Sequence, residues 1–295
     1  MAAARAIGVV VAASLCVLAL SGAARAASPS PSVAPIASPS VAPIASPSVA
    51  PTASPAVPPP ASPDPALVLH VPVLMYHLVG LPGEVPSALP NLVVSPTTFD
   101  AHMRALHDAG WHTITAADLA TYLAAGTRPP ARSFVVTIDD GYADGYTHAL
   151  PILEAYGFVA TFYVVAGRVG GSAHTLSWPQ VRELLAAGMD IGNHTVSHPA
   201  LTAASDWDLG WQIRRAQEIV LRQTGYAMTT LAYPAGDFDQ RVEDAVETAG
   251  LGLGFTTRPG ALETWAGRFA CPRIRVSPGT GARSLVGTLE GFADD

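Results

Sequence analysis

The stretch "SFVVTIDDGYADG" (Ser133–Gly145) decides the fold. Its first six residues are apolar or β-branched with no breaker, the composition of a buried strand. The run stops at two adjacent acids, Asp139 and Asp140, followed by Gly141. In a regular strand neighbouring side chains leave on opposite faces, so the two carboxylates converge only if the backbone bends, which Gly141 permits. Asp-Asp-Gly is compatible with an ordinary turn and with a metal site whose cation offsets the repulsion between the acids. The residues around it have to decide.

Working outward, strand-like and helix-like segments alternate. "ALVLHVPVLMYH" (66–77) reads as one strand, and "TTFDAHMRALHDAG" as a helix with Phe99, Met103 and Leu106 on one face. "VATFYVVAG", "MDIGNHT" and "TTLAYP" are further strands, separated by the helices "WPQVRELLAAG" and "DWDLGWQIRRAQEIVLRQTG". Helices that end in Gly before an apolar strand punctuate βα repeats. Seven or eight such units predict an α/β fold, a distorted (β/α)7–8 barrel whose loops after the strands form the reactive rim. The candidate chemistry falls on that rim: His77 after one strand, Asp139 and Asp140 after another, His194 and His198 after a third, Tyr233 after a fourth.

His194 and His198 are four apart, and a helical turn over 194–198 would put both imidazoles on one side. Two His and one carboxylate leave a coordination place open, the pattern of a catalytic rather than a structural zinc site. An acid pair and a His pair at strand ends of one barrel favour the metal reading over the turn.

"FVVTIDDGY" and "LSWPQVRELLAAGMDIGNHTVSHPAL" resemble the first two motifs of the polysaccharide deacetylases, the NodB-homology domain of carbohydrate esterase family four. With "VPVLMYH" ahead and "LAYPAGDFD" behind, the chain most resembles the branch acting on poly-β-1,6-N-acetylglucosamine. The resemblance covers most of Val71 to Val276. It implies Asp139 as general base and Asp140, His194 and His198 as ligands of a divalent metal, zinc by preference with cobalt or nickel workable. It also implies the backbone N–H of Ala235 as oxyanion donor. Three departures follow, the first being that the family's usual aromatic after the Pro is Ala235 here, which keeps the N–H but removes a ring from the sugar-binding wall. The usual third motif begins with an Arg that orients the base, absent from "LAYPAG", and Arg273 in "CPRIRV" is the candidate replacement. No Leu-His pair occurs near the C-terminus, so His77 is the candidate catalytic acid through a permuted strand order. Tyr142 and Tyr233 are candidates for stacking on sugar rings, and Trp178 for core packing. The implied activity is hydrolysis of acetamide groups on N-acetylglucosamine-type polymers to amine and acetate. An O-acetyl esterase of xylan or wall glycan, or a non-catalytic carbohydrate-binding module on the same fold, are the alternatives.

The remainder of the chain frames this domain, expected over 67–295. Residues 1–26 carry Arg5, an apolar run and Ala24-Arg25-Ala26, the layout of a secretory signal peptide, so an extracellular or cell-surface location is expected. Residues 27–66 hold "ASPSVAPI" and its repeat "ASPSVAPT", a Pro-rich linker that would space the domain from a wall or surface. The sequence has two Cys, one of them inside the signal segment, so Cys271 has no partner for an internal bridge. All 16 basic residues are Arg. Without Arg5 and Arg25, 14 bases face 23 acids, a net charge of −9 that repels phosphate backbones and excludes nucleic acid as a partner. The expected partner is an N-acetylated polysaccharide, and the expected state a monomer.

Overall fold

The computed structural model describes residues 63–293 except 82 and 85–88. The expected signal segment and residues 27–62 of the expected linker lie outside the described residues. Among those described, the main sheet has eight strands: β1 (Val73–Tyr76), β2 (His112–Thr113), β3 (Ser133–Ile138), β4 (Thr161–Val164), β5 (Asp190–Asn193), β6 (Thr230–Ala232), β7 (Leu253–Phe255) and β8 (Ile274–Arg275). Every pairing in it is parallel. The spatial order is β7-β6-β5-β4-β3-β1-β8, with β2 beside the start of β3.

The sheet curls until its two ends meet. Cys271 bridges Phe255 of β7, and the chain runs on from Cys271 into β8, which pairs with β1. The backbone bonds Cys271 N–H to Gly254 O and Thr256 N–H to Cys271 O, both 2.9 Å, close the ring there. The result is the distorted parallel barrel read from the sequence.

Strand alternation sorts most of the apolar strand residues into two of three clusters, the third joining Leu231 and Tyr233 to Leu209 and Ile213 of the helix Asp206–Thr224 and to Val242 and Val246 of the helix Gln240–Thr248. Val73, Val135, Tyr163, Ala232, Leu253, Phe255 and Cys271 pack together in one cluster. Their strand neighbours Leu74, Tyr76, Phe134, Val136, Ile138, Phe162, Val164 and Ile191 pack in the other, against Phe99, Leu153, Leu184, Val220 and Leu285 of the helices. The first is the barrel lumen and the second the layer beneath the helices. A strand buried on both faces reads as an unbroken apolar run, which is why "SFVVTI" shows no polar alternation.

The helices are α1 (Pro96–Asp108), α2 (Ala116–Ala125), α3 (Leu150–Ala155), α4 (Trp178–Ala186), α5 (Asp206–Thr224), α6 (Gln240–Thr248) and α7 (Ala282–Glu290). Their starts follow cap chemistry: Thr115 with Asp118 and Ser177 with Gln180 form capping boxes, and Ser95, Ser205 and Asp239 cap by side chain alone. Trp178 packs partly buried against the helical layer. One sequence expectation is corrected: 66–77 is not one strand. Val68–Leu69 pairs antiparallel with Glu263–Thr264, and the direction changes before β1 at Pro72, which has no N–H to continue a ladder.

Candidate metal centre and cleft

Parity places the two acids. Asp139 shares the phase of Val135 and Thr137, so continuing β3 carries it to the mouth of the lumen. Asp140 would then face outward. It does not, because the backbone turns left-handed at Asp140 (φ 72°) and Gly141 (φ 68°). A Cβ on Gly141 would also sit 3.3 Å from the Cα of Val164, so the position has both a conformational and a spatial reason to be Gly.

Asp140 meets both imidazoles. Its Oδ1 lies 3.3 Å from Nε2 of His194 and 3.3 Å from Nε2 of His198, and the three donor atoms fall within 4.8 Å of one another. The loop that carries the second His is not the helical turn expected from the i, i+4 spacing. Thr195 (φ 67°) and His198 (φ 63°) are both left-handed, and this contorted loop brings the rings to 4.8 Å centroid separation. The loop is braced from below. Asn193 Oδ1 accepts from Thr195 N–H at 2.8 Å, and Gln212 Oε1 accepts from Val196 and Ser197 N–H at 3.0 and 3.1 Å. Left-handed non-Gly residues cost about 1–2 kcal/mol each and persist where surrounding bonds over-determine them. Of the five such residues described, three (Asp140, His198 and Ala235) line this cleft and a fourth, Thr195, lies in the loop that carries His198.

The donor set suits a divalent cation of intermediate softness. His194 Nδ1 donates to Ala232 O at 2.7 Å, which fixes the tautomer and leaves the Nε2 lone pair facing Asp140, as a ligating His requires. Separations of 3.3 Å also match the edge of a tetrahedron with bonds of about 2.0–2.1 Å. Asp139 is not part of this trio, which consists of the three residues that the resemblance named as ligands, with Asp139 beside them.

Asp139 is instead gripped by Arg273. The guanidinium donates to both carboxylate oxygens at 2.8 Å, to Thr137 Oγ1 at 3.0 Å and, through Nε, to Thr256 O at 2.8 Å. Both partners are buried, and Arg273 is the largest fully buried side chain described. Burial pushes the Asp139 carboxyl up, but Arg273, with His77 assisting, overrides it and carries the value down to about 2. His77 Nε2 lies 4.0 Å from Asp139 Oδ2, and burial lowers its pKa against the pull of both aspartates.

His77, Tyr142 and Ala235 line the same cleft of about 370 Å³ as the metal trio and Asp139. Ala235 sits in the 3₁₀ turn Pro234–Gly236 with φ 57°. Tyr233 also borders the cleft, but its ring is not a stacking surface. It is 1% exposed, lies stacked on Phe238 at 5.1 Å and donates its hydroxyl to Phe269 O at 2.8 Å. The expectation that Tyr233 stacks on a sugar is corrected, because parity turns the ring into the core. A larger cavity of about 520 Å³ at the other end of the strands, bordered by Val71 and Ser133, holds none of the expected site residues.

Sequence reading missed Gln212, Arg168 and Arg275. Gln212 left a signal, a polar residue buried on the inner side of α5. Arg275 left another, lying two residues beyond Arg273 on one strand and so sharing its face. Arg168 left none.

Comparison with known proteins agrees with this picture. The polysaccharide deacetylase family model matches residues 126–254. The chain is 31% identical over 220 residues to YxkH of Bacillus subtilis (strain 168), named among the polysaccharide deacetylases, spanning 75% of this chain and 76% of that one. It is 26% identical over 202 residues to the poly-β-1,6-N-acetyl-D-glucosamine N-deacetylase of Staphylococcus aureus (strain MSSA476), with coverages of 63% and 69%. Among solved structures, the Streptococcus pyogenes deacetylase PplD in complex with acetate superposes with a TM-score of 0.70 at 29% identity, covering 76% of this chain and 99% of that one.

Proposed function

This chain belongs to the polysaccharide deacetylase family, and on that premise we propose that it removes acetyl groups from N-acetylglucosamine-type polymers, β-1,6-linked chains foremost, giving free amine and acetate. It is a hydrolase of amide C–N bonds with a divalent-metal-binding triad. The observation that carries the hydrolytic reading is the adjacency of the Asp140–His194–His198 trio to an ionised carboxylate in one cleft. The preference for β-1,6-linked chains rests on the similarity to the staphylococcal enzyme.

Asp140, His194 and His198 would hold the cation, with zinc first on the mixed nitrogen and oxygen donor set. When bound, it supplies Lewis acidity toward an acetamide carbonyl and acidifies water. Asp139, kept ionised by Arg273, accepts the proton of the attacking water as its oxygen bonds to the carbonyl carbon. The Ala235 N–H donates to the oxyanion that forms. The C–N bond then breaks as His77 gives its proton to the leaving nitrogen. Burial makes His77 a stronger acid than free imidazole, which suits that transfer. Tyr142, half-buried at the cleft, offers a face to the sugar. The layout of residues 1–26 supports secretion, and the repeats that follow support a wall-proximal position for the domain.

The test is acetate release from N-acetylglucosamine oligomers by zinc-loaded protein before and after chelation. Activity should fall at least about 100-fold on chelation or in Asp140→Ala, and return when zinc is restored to the native chain. Asp139→Asn should keep its metal content and lose about 10²–10⁴ in turnover. Activity indifferent both to chelator and to Asp140→Ala would reject the reading.

A further inference from the structure

Two cations stand in the cleft with no acid to answer them. Arg273 is spent on Asp139, and Asp140 is committed to the two imidazoles. Arg168 and Arg275 also line the cleft, both exposed, and neither forms an ion pair among the described residues. Arg168 follows β4, and one of its nitrogens donates to Ser197 O at 3.1 Å, which tethers it to the His198 loop. Arg275 lies on β8 in phase with Arg273, one step nearer solvent. In the sheet, β3 and β1 run between β4 and β8, so the two guanidiniums flank the Asp139–Asp140 turn and His77. On a chain of formal net charge −7, two guanidiniums outside any ion pair at one cleft stand out.

A neutral N-acetylglucosamine polymer offers such a pair only single hydrogen bonds to hydroxyl and acetamide oxygens, which do not use its charge. A planar guanidinium recognises carboxylate or phosphate oxygens through paired N–H bonds, and two of them on either side of a reacting centre select for charge on neighbouring sugars. Building on the deacetylase reading above, we propose that Arg168 and Arg275 recognise an acidic substituent, carboxylate or phosphate, on a sugar next to the one deacetylated. Among N-acetylated polymers, one that carries an acid beside the reacting sugar is then deacetylated with a higher kcat/KM than its neutral counterpart, a selection added to the linkage preference proposed above.

The experiment compares kcat/KM for acetate release from three oligomers of equal length. One is neutral N-acetylglucosamine, one is peptidoglycan glycan whose alternate sugars carry a lactyl carboxylate, and one bears a phosphate ester. Zinc-loaded native protein should favour at least one acidic oligomer over the neutral one by about tenfold or more, and which one it favours separates carboxylate from phosphate. In Arg168→Gln/Arg275→Gln that ratio should fall toward one, with the loss in KM rather than kcat. Arg168→Lys/Arg275→Lys should keep part of it. Salt raised from about 0.05 to 0.5 M should shrink the ratio in the native protein, as screening requires. A native ratio near one, or a ratio unchanged in the Gln variant, overturns the proposal. Absence of acetate from all three oligomers overturns the deacetylase reading and the proposal with it.

Discussion

Asp139 and Glu263 are both carboxylates removed from solvent, 2% and 1% exposed, and they lie at opposite ends of the barrel strands. Asp139 follows the last residue of β3. Glu263 sits beside the segment that leads into β1, where its Oε2 accepts from Val71 N–H at 3.2 Å and its Oε1 has no partner among the described residues. Burial raises both, yet only Glu263 ends high, well above the ordinary range, because no cation answers it. Asp139 ends at about 2 because Arg273 grips both its oxygens. A proton acceptor in a dry cleft is usable only if something keeps it ionised. The difference between the two sites is one guanidinium.

Arg273→Met is the largest way to break that contrast. Removing one member of a buried pair leaves an uncompensated charge, so the expected loss is about 3–5 kcal/mol of stability in urea unfolding, with acetate release abolished. The acid limb should change as well. In the native protein the folded value of Asp139 lies below its ordinary 3.8, so its stabilisation is complete above about pH 4 and drains away as pH falls through about 2. The variant should lack that limb and Asp139 should titrate upward, as Glu263 does. A stability change under about 1 kcal/mol would show that the pair does not govern Asp139.

Thr137→Val tests the support behind the pair. Thr137 Oγ1 accepts from Arg273 and donates to Leu74 O at 2.8 Å, so the variant strands two buried polar groups. About 1–3 kcal/mol should be lost, with metal content retained. Equal stability by urea titration would mean that Arg273 is held by Asp139 and Thr256 alone.

Glu263→Gln should have the smallest effect, in the opposite direction. Because the folded value is raised above the ordinary 4.5, the fold holds Glu263 protonated, and its cost is absent below that pH and grows as pH rises toward the folded value. The amide should therefore raise Tm at pH 8 by an amount equivalent to about 1 kcal/mol and change little at pH 4. A Tm difference constant from pH 4 to pH 8 would show that Glu263 is ionised in the fold.

Local rules made much of this legible before any coordinates. The strand "SFVVTI" ends where the apolar run ends, α2 and α5 stop at Gly126 and Gly225 in left-handed caps, and the acid and His pairs stand on strand-end loops. Other features were misread because they are set by neighbours in space. Spacing alone made 194–198 a helical turn, whereas bonds from Asn193 and Gln212 impose two left-handed residues. An aromatic next to Pro234 looked like a sugar platform, whereas packing on Phe238 buries it.

The amino-acid order by itself determined the repeating βα architecture, the strand that delivers Asp139 and Asp140, and the strand-end loop that carries the two His. These depend on periodicity and on the few residues either side of a turn. Only the tertiary structure decided which acid meets the imidazoles and which is held ionised. Asp139 and Arg273 are 134 residues apart, and nothing local relates them until the curled sheet closes through Cys271 and sets β8 beside β1.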